Sequence, residues 1–160
     1  MEKDFLKELE YLGITARLKR LSDAMSYSIK NLYKEEGLDI EPSWHLILLY
    51  LKEHSSASMS EVAEAFNYSQ PAITKMIRKI VQRGYLLLKS DPQDSRKKLI
   101  RLSEKAHAEL PRFERVWEAG QNAIRKMLVE NEDFLLALDQ LEREHQKASF
   151  QERVYQELKE

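Results

Sequence analysis

Apolar residues at Ile14, Leu18, Leu21, Met25, Ile29 and Leu32 recur three and four apart, the spacing that lines one face of a helix. They predict a long helix from Ile14 to about Glu36, with Gly37 placed to stop it. A shorter set, Phe5, Leu6, Leu9 and Leu12, precedes Gly13 and predicts a separate N-terminal helix. A second main helix is expected from near Pro42, with Trp44, Ile47, Leu48 and Leu51 on one face. The polar stretch HSSAS (His54–Ser58) breaks the pattern. SEVAEAF then predicts a short helix capped by Ser60, with Val62, Ala63 and Phe66 inward. After a turn at Asn67 and Tyr68, Ser69 is placed to cap a helix whose buried stripe is Ile73, Ile77, Ile80 and Val81, ending at Gly84.

Two apolar runs, Tyr85–Leu88 and Leu99–Leu102, are too short for helices and predict a β-hairpin around DPQDSRKK. Beyond Ser103, Leu110, Phe113, Val116, Trp117, Ile124 and Met127 mark one long helical element, with Pro111 and Gly120 as points where it could bend. Asn131 is placed to cap a final helix or helix pair carrying Phe134, Leu138, Leu141, His145 and Ala148, continued by Phe150, Val154 and Leu158. The fold class expected is mainly α with a small β-hairpin wing.

Composition narrows the function classes. With four glycines and four prolines in 160 residues, little of the chain can be loop. No apolar run approaches the roughly 18 residues of a membrane span, and the N-terminal MEKDFLKELE lacks an apolar signal core, so a cytoplasmic protein is expected. The absence of cysteine removes disulfides and thiolate chemistry. The formal net charge is only −1, but its distribution is uneven: Ser69–Arg101 holds nine bases against two acids, and Glu130–Glu160 nine acids against four bases. A basic segment in a neutral chain points to a polyanionic partner, or else to an ordinary solvated face.

Short helix, tight turn, second helix and hairpin, in that order, is the winged helix-turn-helix arrangement. If Ile73, Ile77 and Ile80 face inward, Gln70, Thr74, Lys75 and Arg78 face outward. Gln pairs with adenine, Lys and Arg with guanine, and Thr contacts base edges or a thymine methyl. Surface helices usually carry glutamate, whereas Ser69–Gly84 has no acid at all.

The run from Met59 to Ala106 resembles the DNA-binding lobe of the MarR family of bacterial transcription regulators. The resemblance rests on the helix opening SQPAIT, the helix end RGYL, and DPQDSR, which follows the family's wing pattern D-x-[RN]-D-x-R. It implies a helical dimerisation lobe from 1–40 and 104–160 around a winged helix-turn-helix lobe at 41–103. It further implies a homodimeric repressor on a pseudo-palindromic operator, with recognition helices in successive major grooves and wings in the minor groove. Residue by residue, Ser69, Gln70, Pro71, Thr74, Lys75 and Arg78 fall on the family's recognition surface. Arg96 falls on the wing arginine, Asp94 on the acid that braces the wing, and one of Lys97 and Lys98 is expected to meet phosphate. Gln93 stands where many members have Arg, and Ala106 replaces a common glycine. The stretch LGITARLKRLSDAM is similar to members with a fused acetyltransferase, which a chain ending at Glu160 is not expected to carry.

The resemblance also implies release from DNA by a small aromatic or anionic ligand, for which Arg17, Met25, Trp44, His45 and Phe113 are candidates. The alternative is that Trp44 and Met25 are core and His45 a surface cap. The terminal stripes either complete a monomer core or meet a second copy. A different class of protein, a helical adaptor using its basic lobe for an acidic partner, fits the same charge map. None of the histidines His45, His54, His107 and His145 has metal-ligand spacing, and no nucleophile elbow, P-loop or dinucleotide fingerprint is present, so neither a metal, a cofactor nor catalysis is expected.

Overall fold

The computed structural model describes residues 3–91, 94, 98–129, 131 and 133–159. It divides into two compact units, Met1–Phe113 and Glu114–Glu160.

The first unit opens with α1 (Phe5–Glu8) and a 3-10 turn (Glu10–Gly13), a shorter and more broken entry than one helix. Asp4 caps α1 by accepting from Leu6 N at 3.2 Å and takes a two-pronged bond from Arg20, at 3.1 and 2.7 Å. Arg20 sits on α2 (Ile14–Glu35), so the cap also fastens α1 to α2. The guanidinium holds the Asp4 carboxyl below its ordinary value. Gly13 is required where the turn meets α2, because a Cβ there would lie 2.2 Å from the Leu6 carbonyl oxygen. Only Tyr33 of α2 is buried; Leu18, Leu21 and Leu32 of the expected stripe remain exposed.

Gly37, at φ 64, ends α2 as expected. The next helix, α3 (Trp44–His54), begins two residues later than Pro42, which occupies the turn before it, and buries the expected face. The polar break at His54–Ser58 conceals a strand, β1 (Ala57–Ser58), paired antiparallel with the returning strand of the hairpin. Ser58, not Ser60, caps α4 (Met59–Ala65). Its hydroxyl accepts from Glu61 N at 3.2 Å while Glu61 reaches back to Ser58 N at 2.6 Å, a reciprocal capping box of about 1 kcal/mol. Ser60 cannot serve, being one residue inside the first turn.

After the turn, α5 (Gln70–Gln82) is capped by Ser69 and buries Ile73, Ile77 and Ile80, with Val81 half-buried. Strands β2 (Leu86–Ser90) and β3 (Lys98–Leu102) pair antiparallel from Leu86↔Leu102 to Ser90↔Lys98, giving a three-stranded sheet in the order β1-β3-β2. The core lies beneath this sheet. Tyr85 is wedged between Trp44 and Phe113, ring centroids 6.4 and 5.6 Å away, with Lys105 Nζ 3.9 Å over its face. Buried Ser103 fixes the base of the wing, donating to Gly84 O at 2.6 Å and accepting from Ala106 N at 3.1 Å. That bond starts α6 (Glu104–Met127), a continuous helix through Pro111 and Gly120.

In the second unit, α7 (Asp133–Lys147) is preceded by Asn131, whose side chain accepts from Asp133 N at 2.8 Å. A Ser149–Glu152 capping box then begins α8 (Phe150–Glu157). Glu144 ties the pair together, accepting from Lys147 at 2.7 Å and from Arg153 at 2.9 Å, while Arg153 also donates to Glu144 O at 2.6 Å. No residue of α7 or α8 is buried. The observed fold class is mainly α with a small antiparallel sheet, the expected class with one strand added.

Candidate nucleic-acid interface

The bases of this region lie on α5 and the strands of the wing, while α4 carries only Glu61 and Glu64, so α5 supplies the candidate face. Ser69 begins the helix by accepting from Ala72 N at 3.4 Å, and Pro71 fits the first turn, where a missing N–H costs no helical bond. Burying Ile73, Ile77 and Ile80 turns two parallel rows outward, Gln70-Thr74-Arg78-Gln82 and Pro71-Lys75-Lys79. These rows line an open depression of about 550 Å³. Rows four residues apart lie along a helix, so a groove-shaped partner meets them in register.

The sequence expectation named five of the seven lining residues. Lys79 and Gln82 were missed, although each continues a spacing of four already visible in Thr74, Lys75 and Arg78. Thr74 is half-buried and its hydroxyl donates to Met59 Sδ at 3.6 Å, which orients it between α4 and the surface. Among the described residues, Lys75 and Arg78 are exposed and without an ion-pair partner. Lys79, by contrast, is bound to Glu41 at 3.0 Å, and Arg83 to Asp39. The uncommitted positive charge of α5 therefore sits at Lys75 and Arg78.

On the wing, Lys98 is exposed and donates across the strand pair to Ser90 Oγ at 2.8 Å; Asp94 is half-buried. Arg96 and Lys97, with Pro92 and Gln93, lie outside the described residues.

The five effector candidates fall into different settings. Trp44 is 2% and Phe113 0% exposed, and both are spent on packing around Tyr85. Arg17 is exposed and Met25 half-buried on α2. His45 is half-buried with Nδ1 2.6 Å from Pro42 O, a contact that requires the proton on Nδ1. Among the described residues, no group of three or more His, Asp or Glu side chains is placed to hold a metal, and no helix is long and apolar enough to cross a membrane.

Comparison with known proteins agrees with this geometry. The MarR family sequence model matches residues 38–97. The HTH-type transcriptional regulator BilQ of Clostridioides difficile (strain CD3) is 24% identical over 119 residues, 69% of this chain and 80% of that protein. Among solved structures, a mutant MarR from E. coli complexed with operator DNA superposes with a TM-score of 0.64 at 20% identity, covering 89% of this chain and 98% of that one. The S. aureus MepR–DNA complex gives 0.73 at 18% identity, covering 82% and 96%. The matched segment 38–97 holds the helix pair, β1 and β2 that carry the outward rows of α5, and over that segment the chain is similar to the MarR family.

Proposed function

We propose that this chain is a cytoplasmic repressor that binds a pseudo-palindromic operator in duplex DNA as a homodimer. In this reading 41–103 is the DNA-binding lobe, and 1–40 with 104–160 form the dimerisation lobe. The observation that carries it is the acid-free outer face of α5, where Lys75 and Arg78 stand exposed and unpaired among the described residues beside Gln70 and Thr74. Those side chains suit a major groove, with Gln70 toward adenine and Arg78 or Lys75 toward guanine or phosphate. Ser69 and Pro71 set the start of the helix, and the wing follows into the minor groove with Arg96, Asp94, Lys97 and Lys98. The DNA complexes of MarR and MepR support a DNA partner for the same fold. Release by a small aromatic anion would run through Arg17, Met25 and His45, since Trp44 and Phe113 are occupied in the core.

Selection of bound fragments from genomic duplex DNA, followed by titration across salt, tests the reading. A shared half-site motif should emerge, and Arg78→Ala and Lys75→Ala should each weaken binding with a salt slope shallower by about 0.9 for each phosphate left unneutralised. Recovery of no common sequence, with affinity unchanged in both variants, would favour a protein-binding adaptor instead.

A further inference from the structure

We propose that Asp39 and Glu41, between α2 and α3, are specificity-determining residues that hold two bases of the recognition helix away from DNA phosphates. The inference rests on the DNA-binding reading above and concerns what limits that binding.

From Gln70 to Arg83 the helix carries four bases and no acid. They divide evenly: Lys75 and Arg78 are uncommitted among the described residues, whereas Lys79 and Arg83 are not. Lys79 Nζ lies 3.0 and 3.2 Å from the two Glu41 carboxylate oxygens, and the Arg83 guanidinium donates to Asp39. The match is a matter of pitch. Four residues of helix rise about 6 Å, close to the span of roughly 6–7 Å over two residues of extended chain. Burial in the linker alternates with that period of two: Leu38 and Ile40 are 7% and 8% exposed, while Asp39 and Glu41 face solvent. The two buried side chains anchor the linker, so both carboxylates are presented at the spacing of Lys79 and Arg83.

Stability is a poor reason for these pairs. Their side chains are about half exposed, from 47% to 58%, and ion pairs that wet contribute little to folding. Their effect on the electrostatic field is larger. Lys79 continues the row that contains Lys75, one turn further along α5, and a free ammonium there would add a phosphate contact on any sequence. Non-specific affinity rises with every phosphate neutralised, and discrimination is the ratio of specific to non-specific binding. Internal neutralisation of two bases therefore lowers binding to the wrong DNA.

The test compares the full native chain with the Asp39→Asn/Glu41→Gln double variant on a selected operator duplex and on a random-sequence duplex, over a salt series. The expected result is a gain in random-duplex affinity on the order of tenfold near 0.1 M salt, with a slope steeper by up to about 1.8. The operator-to-random ratio should fall and the melting temperature stay nearly constant. In the native background Lys79→Gln should change operator affinity little, while Lys75→Ala weakens it. Native binding with no gain in the double variant, or a loss on both duplexes with a lowered melting temperature, overturns the assignment and leaves the pairs as structural ties. A native chain with no salt-dependent duplex binding overturns the DNA reading and this assignment together.

Discussion

The stretch from Tyr33 to Phe113 and the helices α7 and α8 are written with similar amphipathic patterns, yet they end in opposite conditions. Every buried apolar side chain among the described residues lies between Tyr33 and Phe113. In α7 and α8 none is buried, and Leu135, Leu136, Leu141, Phe150, Tyr155 and Leu158 are between 51% and 75% exposed. The N-terminal Phe5, Tyr11 and Leu12 share that exposure. Periodicity thus specifies which face of a helix is apolar; it does not specify what covers that face. In the first region the short chain between helices and sheet brings covering elements back onto each stripe. In the second, the links that hold α7 to α8 are polar: the Ser149–Glu152 box and the Glu144–Lys147–Arg153 cluster.

The largest effect should come from the covered region. Phe113 is fully buried against Tyr85, so Phe113→Ala should cost about 3–5 kcal/mol in denaturant unfolding, through forfeited transfer energy and the cavity left behind. A cost under about 1 kcal/mol would mean that the core closes over the gap. In the uncovered region the proposed homodimer supplies the missing surface. A Leu141→Asp/Phe150→Asp chain should then be a monomer by light scattering where the native chain is a dimer, and should lose the rise of melting temperature with protein concentration. A native chain that is monomeric at micromolar concentration, or a variant that still dimerises, would break this account of the exposed stripes.

Much of the first region was legible because its signals are local and mutually consistent. Ile73, Ile77 and Ile80 fixed the inward face of α5, and the exclusion of acids from Ser69–Gly84 fixed the character of its outward face. Most of what escaped was set by pairing across distance. Two residues of β1 have no periodicity of their own; Ala57 is buried because Ile100 pairs with it. The Ser58 cap was present as Ser-x-x-Glu, but a neighbouring serine at position 60 offered the same chemistry two residues too late. Trp44 and Phe113, candidates for an effector site through the family resemblance, are packed in the core on either side of Tyr85, the alternative already open for Trp44. The commitment of Lys79 and Arg83 to Glu41 and Asp39 joins residues 38 and 44 positions apart, which no window along the sequence reveals.

The smallest effect is a difference in pH response between the regions. Burial pushes the Tyr85 phenol above its ordinary value of 10.0, with Asp39 and Glu109 adding to the rise and Arg83 and Arg112 opposing it. An unfolded chain releases that proton near pH 10 and the folded chain does not. The stability contributed by the protonated phenol is therefore complete below pH 10 and declines as pH rises from there through the folded value. At the α7–α8 junction the sign reverses. Lys147 and Arg153 hold the Glu144 carboxyl below its ordinary value of 4.5, so its contribution is present above that value and is lost as pH falls through the folded one. Unfolding curves should accordingly show Tyr85→Phe diverging in slope from the native chain only above about pH 10, and Glu144→Gln only on the acid side. The alkaline effect should also shrink in Asp39→Asn, because that carboxylate is part of what raises the phenol. Parallel curves for Tyr85→Phe and the native chain across the alkaline range would show that the core takes up the phenolate without penalty, and that Tyr85 is held by its ring contacts alone.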